Sequence, residues 1–86
     1  MMNDYYVISA VERRGSDLSR VFAHIDKTFG NNNAMWVLRA EDAERFQTLS
    51  EAENFFTNHR EELVKDNMQL YVVEKVCSVY AKSLFV

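Results

Sequence analysis

The chain has 86 residues and a formal net charge of −3 at pH 7, with 48% apolar and 27% charged residues. This composition is typical of a globular protein, and the length suits a single domain over residues 1–86. It excludes a disordered chain and a two-domain cofactor enzyme, and no apolar run reaches the roughly 18–20 residues of a membrane helix. With one cysteine, Cys77, and no signal-peptide pattern at the N-terminus, we expect a cytoplasmic protein without an internal disulfide bond.

The first predicted element is a strand over residues 5–11, where aromatic and β-branched residues dominate and a turn signal around Gly15 follows. Residues 18–29 fit two interpretations. Leu18, Val21 and Ile25 have the i, i+3, i+7 spacing of one helical face, which predicts a second short helix at 18–29. Val21, Ala23 and Ile25 also alternate with their neighbours as residues of a strand do, and the pattern leaves this choice open.

A short apolar run at 34–38 predicts the next strand, which contains the single tryptophan, Trp36. One helical turn is expected at 41–44. Residues 45–47 then return to extended structure, with Phe46 pointing inward.

The main helix is predicted over about residues 49–65. Thr48 and Glu51 have the capping-box spacing that marks a helix N-terminus. The positions that follow with helical spacing form one apolar face, which consists of Ala52, Phe55, Phe56, His59 and Leu63. Since such a face is normally buried, we expect this helix to pack on a sheet.

The last long element is a strand over residues 69–80, in which Tyr71, Val73 and Cys77 share one face. Glu74 and Lys75 interrupt this alternation, which predicts either a bulge at these residues or a strand that runs past the sheet edge. We expect the Glu74 side chain to form a salt bridge. The apolar residues 84–86 either dock on the core or pair with another chain. Together the elements predict an α+β fold, in which a small antiparallel sheet of three to four strands carries the main helix on one face.

Part of the chain resembles a pattern found in small phage and prophage proteins. The pattern is carried by Trp36, the segment 41–46, Thr48, Glu51, Ala52, Phe55 and Phe56. It covers about half of the chain and implies a compact α+β unit. It also implies that the helix is packed on the sheet by Ala43, Phe46, Ala52 and Phe55. Some small phage proteins inhibit host enzymes or host defence, and the resemblance carries over no catalytic residue.

Residues that could carry catalysis or bind a metal ion are few and scattered. His24, His59 and Cys77 lack the paired spacing of a metal site, and no phosphate-binding glycine motif is present. Cys77 lies in a strand pattern, where a free cysteine commonly acts as a small apolar residue. We therefore predict no metal, no cofactor and no catalytic residue, and a protein that is not an enzyme.

Charge is concentrated in the middle of the chain, since residues 41–66 have a net charge of −5. This acidity disfavours nucleic acid as a partner, because nucleic-acid-binding proteins present a basic surface. It suits either a solvated helix face or an acidic docking surface for a basic partner.

Aromatic and arginine residues, which dominate interface hot spots, and the acidic helix supply the candidate partner-binding residues. The candidates are Trp36, Arg39, Tyr5, Tyr71, Glu53, Glu61 and Glu62. Trp36 fits either the core or an exposed platform. We predict a protein-interaction module that binds a host or phage protein stoichiometrically, as a phage-encoded inhibitor would, without a membrane.

Two alternatives belong to other classes. One is a small-ligand or nucleotide-binding dimer, in which Trp36 stacks on the ligand and Arg13, Arg14 or Arg39 meets phosphate. The other is an accessory nucleic-acid-binding protein that uses tyrosine stacking. A homodimer is also expected to form through a sheet edge, because unpaired edges invite another strand.

Overall fold

The computed structural model describes residues 4–30, 32–76 and 81–84, and these confirm the predicted α+β fold. The strands are β1 (Tyr5–Arg14), β2 (Asp17–Asp26), β3 (Asn33–Val37), β4 (Met68–Val76) and β5 (Ala81–Ser83). They form one antiparallel sheet in the order β3-β2-β1-β4-β5, in which β5 is a three-residue addition to four longer strands. The helices are α1 (Leu49–Asn58) and α2 (Arg60–Leu63), with 3-10 turns at Thr28–Gly30 and Ala40–Asp42. Within these described ranges, no helix has the length and apolar character to cross a membrane.

Residues 17–26 form β2, so the helical interpretation of residues 18–29 is wrong and the strand interpretation is correct. Phe22 pairs with Ser9 of β1 on one side and with Val37 of β3 on the other. Val21 and Ala23 are buried on one face of the sheet, and Phe22 is buried on the opposite face. Because β2 is hydrogen-bonded to a strand on each side, its pairing overrides the helical spacing of its apolar residues. Within residues 18–29, helical geometry is confined to the start of the 3-10 turn at Thr28–Gly30.

The main core lies between the sheet and the helices, on what we call the helix face. Its buried side chains are Ile8, Ala10, Val21, Ala23, Ala34, Ala52, Phe56, Leu63, Met68, Tyr71 and Val73. α1 begins with the predicted capping box, since the Glu51 N–H donates to Thr48 Oγ1 (3.1 Å) and the Glu51 carboxylate accepts from the Thr48 N–H (3.1 Å). The predicted helix over 49–65 is broken at His59, whose ψ of 22° separates α1 from α2, and it ends at Leu63.

The chain crosses the sheet between β1 and β2 at residues 43–46, which we call the crossing segment. β1 and β2 pair only from Ser9 and Phe22 toward their hairpin. Beyond that point the Glu44 N–H donates to the Ala23 carbonyl (2.8 Å). Tyr6 and Phe46 exchange two backbone hydrogen bonds of 2.7 and 2.8 Å. The crossing segment therefore supplies the hydrogen bonds that the two separated strands lack for each other.

The two ends of the crossing segment lie on opposite faces of the sheet. Phe46 packs inward on the helix face, as predicted, with its ring 5.0 Å from that of Phe55. Ala43 is buried with Val7 and Phe22 in a small cluster on the opposite face, which we call the open face. The family pattern implied that Ala43 packs the helix on the sheet, and its position on the open face corrects that expectation.

β4 contains a bulge at Leu70, whereas Glu74 and Lys75, where a bulge was one of two predictions, pair regularly with β1. Val72 pairs with Ser9 but Gln69 pairs with Val11, so β4 holds one extra residue. The predicted salt bridge of Glu74 is present and its partner is Arg20.

The C-terminal end of the chain is described in part. Leu84 packs against the main core, and its N–H donates to the Tyr71 carbonyl (3.0 Å), so docking is the correct alternative for this residue. The predicted strand positions Cys77 to Tyr80 and the terminal residues 85–86 lie outside the described residues.

Leu70 has an unfavourable backbone conformation. Its φ of 56° is a left-handed value, which costs most L-amino acids about 1–2 kcal/mol and is tolerated by Gly, Asn and Asp. Leu70 is also 68% exposed. We expect Leu70→Asn to raise the free energy of unfolding, measured in urea, by about 1 kcal/mol. Leu18→Asn is the matched control, because Leu18 is 62% exposed in a regular strand, where asparagine is disfavoured. An equal loss of stability in both variants would contradict the strain at Leu70.

Phe56 is the aromatic residue that ties α1 to the sheet, because its side chain is 3% exposed. We expect Phe56→Ala to lower the free energy of unfolding by about 3–5 kcal/mol. Phe55→Ala should cost less, since Phe55 is only partly buried, and the exposed Thr57→Ala serves as the surface control. A Phe56→Ala loss no larger than that of Thr57→Ala in a urea titration would show that α1 does not pack as described.

Candidate functional site

Three predicted partner-binding residues, Trp36, Glu61 and Glu62, line one concavity between β3 and α2. Its volume is about 490 Å³, and we call it the Trp36 groove. Its remaining lining residues are Glu12, Ala34, Met35 and Lys65. The groove is therefore the place where the fold brings together the indole and the acidic helix, which are 25 residues apart in the chain.

Trp36 belongs to both the core and the groove. Its Nε1–H donates to the Leu63 carbonyl (2.9 Å), and its ring centroid lies 6.0 Å from that of the buried Tyr71. These contacts fix the indole against the end of α2 and the helix-face core. Trp36 is half-buried and also lines the groove. The core interpretation and the exposed-platform interpretation therefore each describe one part of the ring.

Glu62 joins α2 to the edge of the sheet. Its Oε1 accepts from the Ala34 N–H (2.8 Å), and its Oε2 lies 3.1 Å from His59 Nδ1. The hydrogen bond from Ala34 is the main cause that lowers the pKa of Glu62, and the contact with His59 adds to it. Since β3 is an edge strand, the Glu62 carboxylate accepts a hydrogen bond from an outward-facing N–H that would otherwise be available to pair with a further strand. A homodimer through this edge would have to displace Glu62.

The electrostatics of the groove are acidic. Three carboxylates, those of Glu12, Glu61 and Glu62, line it together with one cation, Lys65. Glu12 accepts from Arg14 Nε (2.6 Å), whereas exposed Glu61 forms no ion pair within the described part of the chain. The groove therefore favours cationic ligands and repels phosphate.

The arginines that the nucleotide alternative requires are not lining residues of the Trp36 groove, although Arg14 donates to Glu12, which lines it. Arg13 pairs with Leu18 near the β1–β2 hairpin, whereas Trp36 pairs with Ala23. Five residues of extended strand separate these positions along β2, which is about 17 Å. Arg39 is exposed and bonds to Glu41 (2.8 Å), which raises the pKa of Arg39 and lowers that of Glu41.

The other predicted partner-binding residues lie elsewhere. Tyr71 is 5% exposed and its hydroxyl oxygen accepts from the Lys65 N–H (3.2 Å), so it is a core residue. Tyr5 lies half-buried on the open face, with Arg45 Cζ 4.6 Å from its ring centroid. Glu53 lies on α1 outside the groove.

Sequence reasoning missed a polar network on the open face. Buried Ser9 donates through its hydroxyl to Glu74 Oε2 (2.5 Å), and Arg20 Nη2 forms an ion pair with the same oxygen. Strand alternation alone places these residues on one face only once the register of β1, β2 and β4 is known. The sequence signal for this network was therefore the charge of Glu74. That charge predicted a salt bridge but did not identify Arg20 as the partner.

The described residues include no group of three or more His, Cys, Asp and Glu side chains placed to hold a metal ion, and Cys77 lies outside them. No family model, curated protein or solved structure matches this chain. The Trp36 groove and the open face are thus interpreted from their own geometry.

Glu62 makes stability depend on pH. A carboxyl group with a lowered pKa in the folded state stabilises the fold above its unfolded pKa, about 4.3, and loses that contribution as pH falls through the lowered value. We expect Glu62→Gln to lower the free energy of unfolding at pH 7, because a neutral amide oxygen is the weaker acceptor. The difference from the unmodified protein should shrink below about pH 4.

The neighbouring Glu61→Gln is the matched control, because Glu61 is exposed and the bond to the Ala34 amide of the sheet edge is made by Glu62. Urea titrations at pH 7 and pH 3 compare the two variants. If Glu61→Gln and Glu62→Gln change stability equally at both pH values, the bond between Glu62 and Ala34 does not stabilise the fold.

Proposed function

We propose that the protein is a protein-interaction module whose Trp36 groove binds a basic segment of a partner protein. The observation that carries this proposal is the meeting of one indole with the carboxylates of Glu12, Glu61 and Glu62 in a single concavity. An arginine or lysine side chain placed there contacts the indole through a cation–π interaction and the carboxylates through charge-assisted hydrogen bonds.

The interaction needs the indole and the carboxylates together. Exposed ion pairs contribute only about 0.2–1 kcal/mol each, so Glu61 alone would not hold a partner. A rigid aromatic surface adds affinity at a small entropy cost, and Trp36 is held by its bond to Leu63. The net charge of −5 over residues 41–66 would also speed the approach of a basic partner.

The partner is a host or phage protein, and the action is stoichiometric occupation of its basic surface in the cytoplasm. This part of the proposal is supported by the resemblance to small phage proteins and by the acidic groove. Binding of this kind needs no cofactor and no chemical step, which is consistent with the sparse catalytic residue types in the sequence.

A defined peptide tests the groove directly. We expect a fluorescent peptide with four arginines to bind the unmodified protein more tightly than a peptide in which glutamates replace these arginines. Glu61→Lys should weaken binding by about tenfold, which corresponds to about 1.4 kcal/mol. Fluorescence anisotropy at low and moderate salt measures both.

Glu53→Lys is the matched control, because it makes the same change in charge on α1 outside the groove. Equal weakening by the two variants would show general charge attraction and contradict a specific groove. Affinity capture from nuclease-treated lysate extends the test to the natural partner. A protein retained by the unmodified chain and lost with Glu61→Lys supports the proposal, and identical captured proteins for both contradict it.

A further inference from the structure

The open face carries a second concavity, which we call the open-face pocket. It has a volume of about 300 Å³ and lies beside the turn at Ala40–Asp42, where the crossing segment separates β1 from β2. Tyr5, Val7, Phe22 and Val76 form its apolar walls. This size is at the lower end of small-molecule sites, about 300–1,000 Å³, which also combine apolar walls with a few polar groups.

The charged residues that line the open-face pocket have an excess of cations. The charged lining residues are Arg20, Lys75 and Glu74, which are two cations and one carboxylate. Glu74 pairs with Arg20, and Asp4, outside the lining, lies 3.3 Å from Lys75. The excess of one positive charge contrasts with the acidic Trp36 groove and with the net charge of −3.

Arg20 keeps donors for a ligand. Its Cζ lies 5.2 Å from the Phe22 ring centroid, so the guanidinium is held beside an apolar wall. Its Nη2 bonds to Glu74, and within the described ranges no contact is recorded for Nε or Nη1. A guanidinium has five N–H donors, and its planar fork suits a carboxylate. The Arg20 side chain is 56% exposed, so a ligand can reach these donors.

We propose that the open-face pocket binds a small molecule with a flat apolar body and one carboxylate, of the size of benzoate or indole-3-acetate. The apolar body contacts Tyr5, Val7 and Phe22, and the carboxylate accepts from Arg20 and Lys75. A monoanion matches the single excess positive charge, whereas Glu74 beside Arg20 disfavours a doubly charged phosphate. The neighbouring concavity around Leu70 and Val72 is lined by one cation, Arg20, and lacks this pairing.

The test uses calorimetric titrations of the full chain with benzoate and indole-3-acetate, and with benzamide and benzylamine as probes that lack the carboxylate. We expect the two carboxylates to bind at least about tenfold more tightly than the two other probes, as a charge-assisted pair requires. The proposal is overturned if benzamide binds as well as benzoate, or if neither carboxylate binds at concentrations up to about 10 mM.

Two variants locate the site. Arg20→Met and Lys75→Met should each weaken carboxylate binding several-fold, whereas Arg39→Met removes the same charge outside the pocket and should leave it unchanged. Lys75→Met keeps the test decisive if Arg20→Met fails to fold, because Lys75 lies outside the network of Ser9, Arg20 and Glu74. Equal binding by Lys75→Met and the unmodified protein would place any carboxylate elsewhere and overturn the proposal. Neither variant alters the Trp36 groove, so failure here is distinct from failure of peptide binding.

Discussion

Two backbone hydrogen bonds between Tyr6 and Phe46 hold the chain where it crosses the sheet, and the two faces owe their difference to this crossing. Ala43 remains on the open face against Val7 and Phe22, while Phe46 lies on the helix face against Phe55. α1 therefore starts on the helix face. The same insertion keeps β1 and β2 apart beyond Ser9 and Phe22, where the open-face pocket lies.

The two proposed sites lie on opposite faces of the sheet and differ in charge. The Trp36 groove forms where α2 meets the edge strand β3 and is lined mainly by carboxylates. The open-face pocket lies on the other side of the sheet and is lined by two cations and one carboxylate. Because the sheet separates them, a basic protein segment and a small carboxylate could occupy the two sites at the same time.

Local signals predicted the elements that depend on neighbouring residues. The capping box of Thr48 and Glu51 starts α1 because both partners lie within one turn, and Phe46 points inward as its pattern predicts. The break at His59 and the bulge at Leu70 were missed, because neither has a glycine or proline to mark it. Residues 18–29 satisfied two periodicities, and only pairing with β1 and β3 decides between them.

The candidate site was predictable in composition but not in arrangement. Trp36, Glu61 and Glu62 were chosen by residue type, and they meet because α2 packs against β3. Tyr71 was chosen by the same criterion and is buried, since residue type cannot distinguish a core tyrosine from an interface tyrosine. The bond from the Ala34 amide to Glu62 and the network of Ser9, Arg20 and Glu74 depend on long-range register, which one sequence does not reveal.

The most direct test of two separate sites is one NMR titration of the isotope-labelled chain, first with the arginine peptide and then with benzoate. We expect the peptide to shift the Trp36 indole N–H and the amides of residues 61–65. Benzoate should then shift the amides of Tyr5, Val7 and Phe22 without displacing the peptide. Shifts of one common set of residues by both ligands, or no shift near Trp36 with the peptide, would contradict two separate sites.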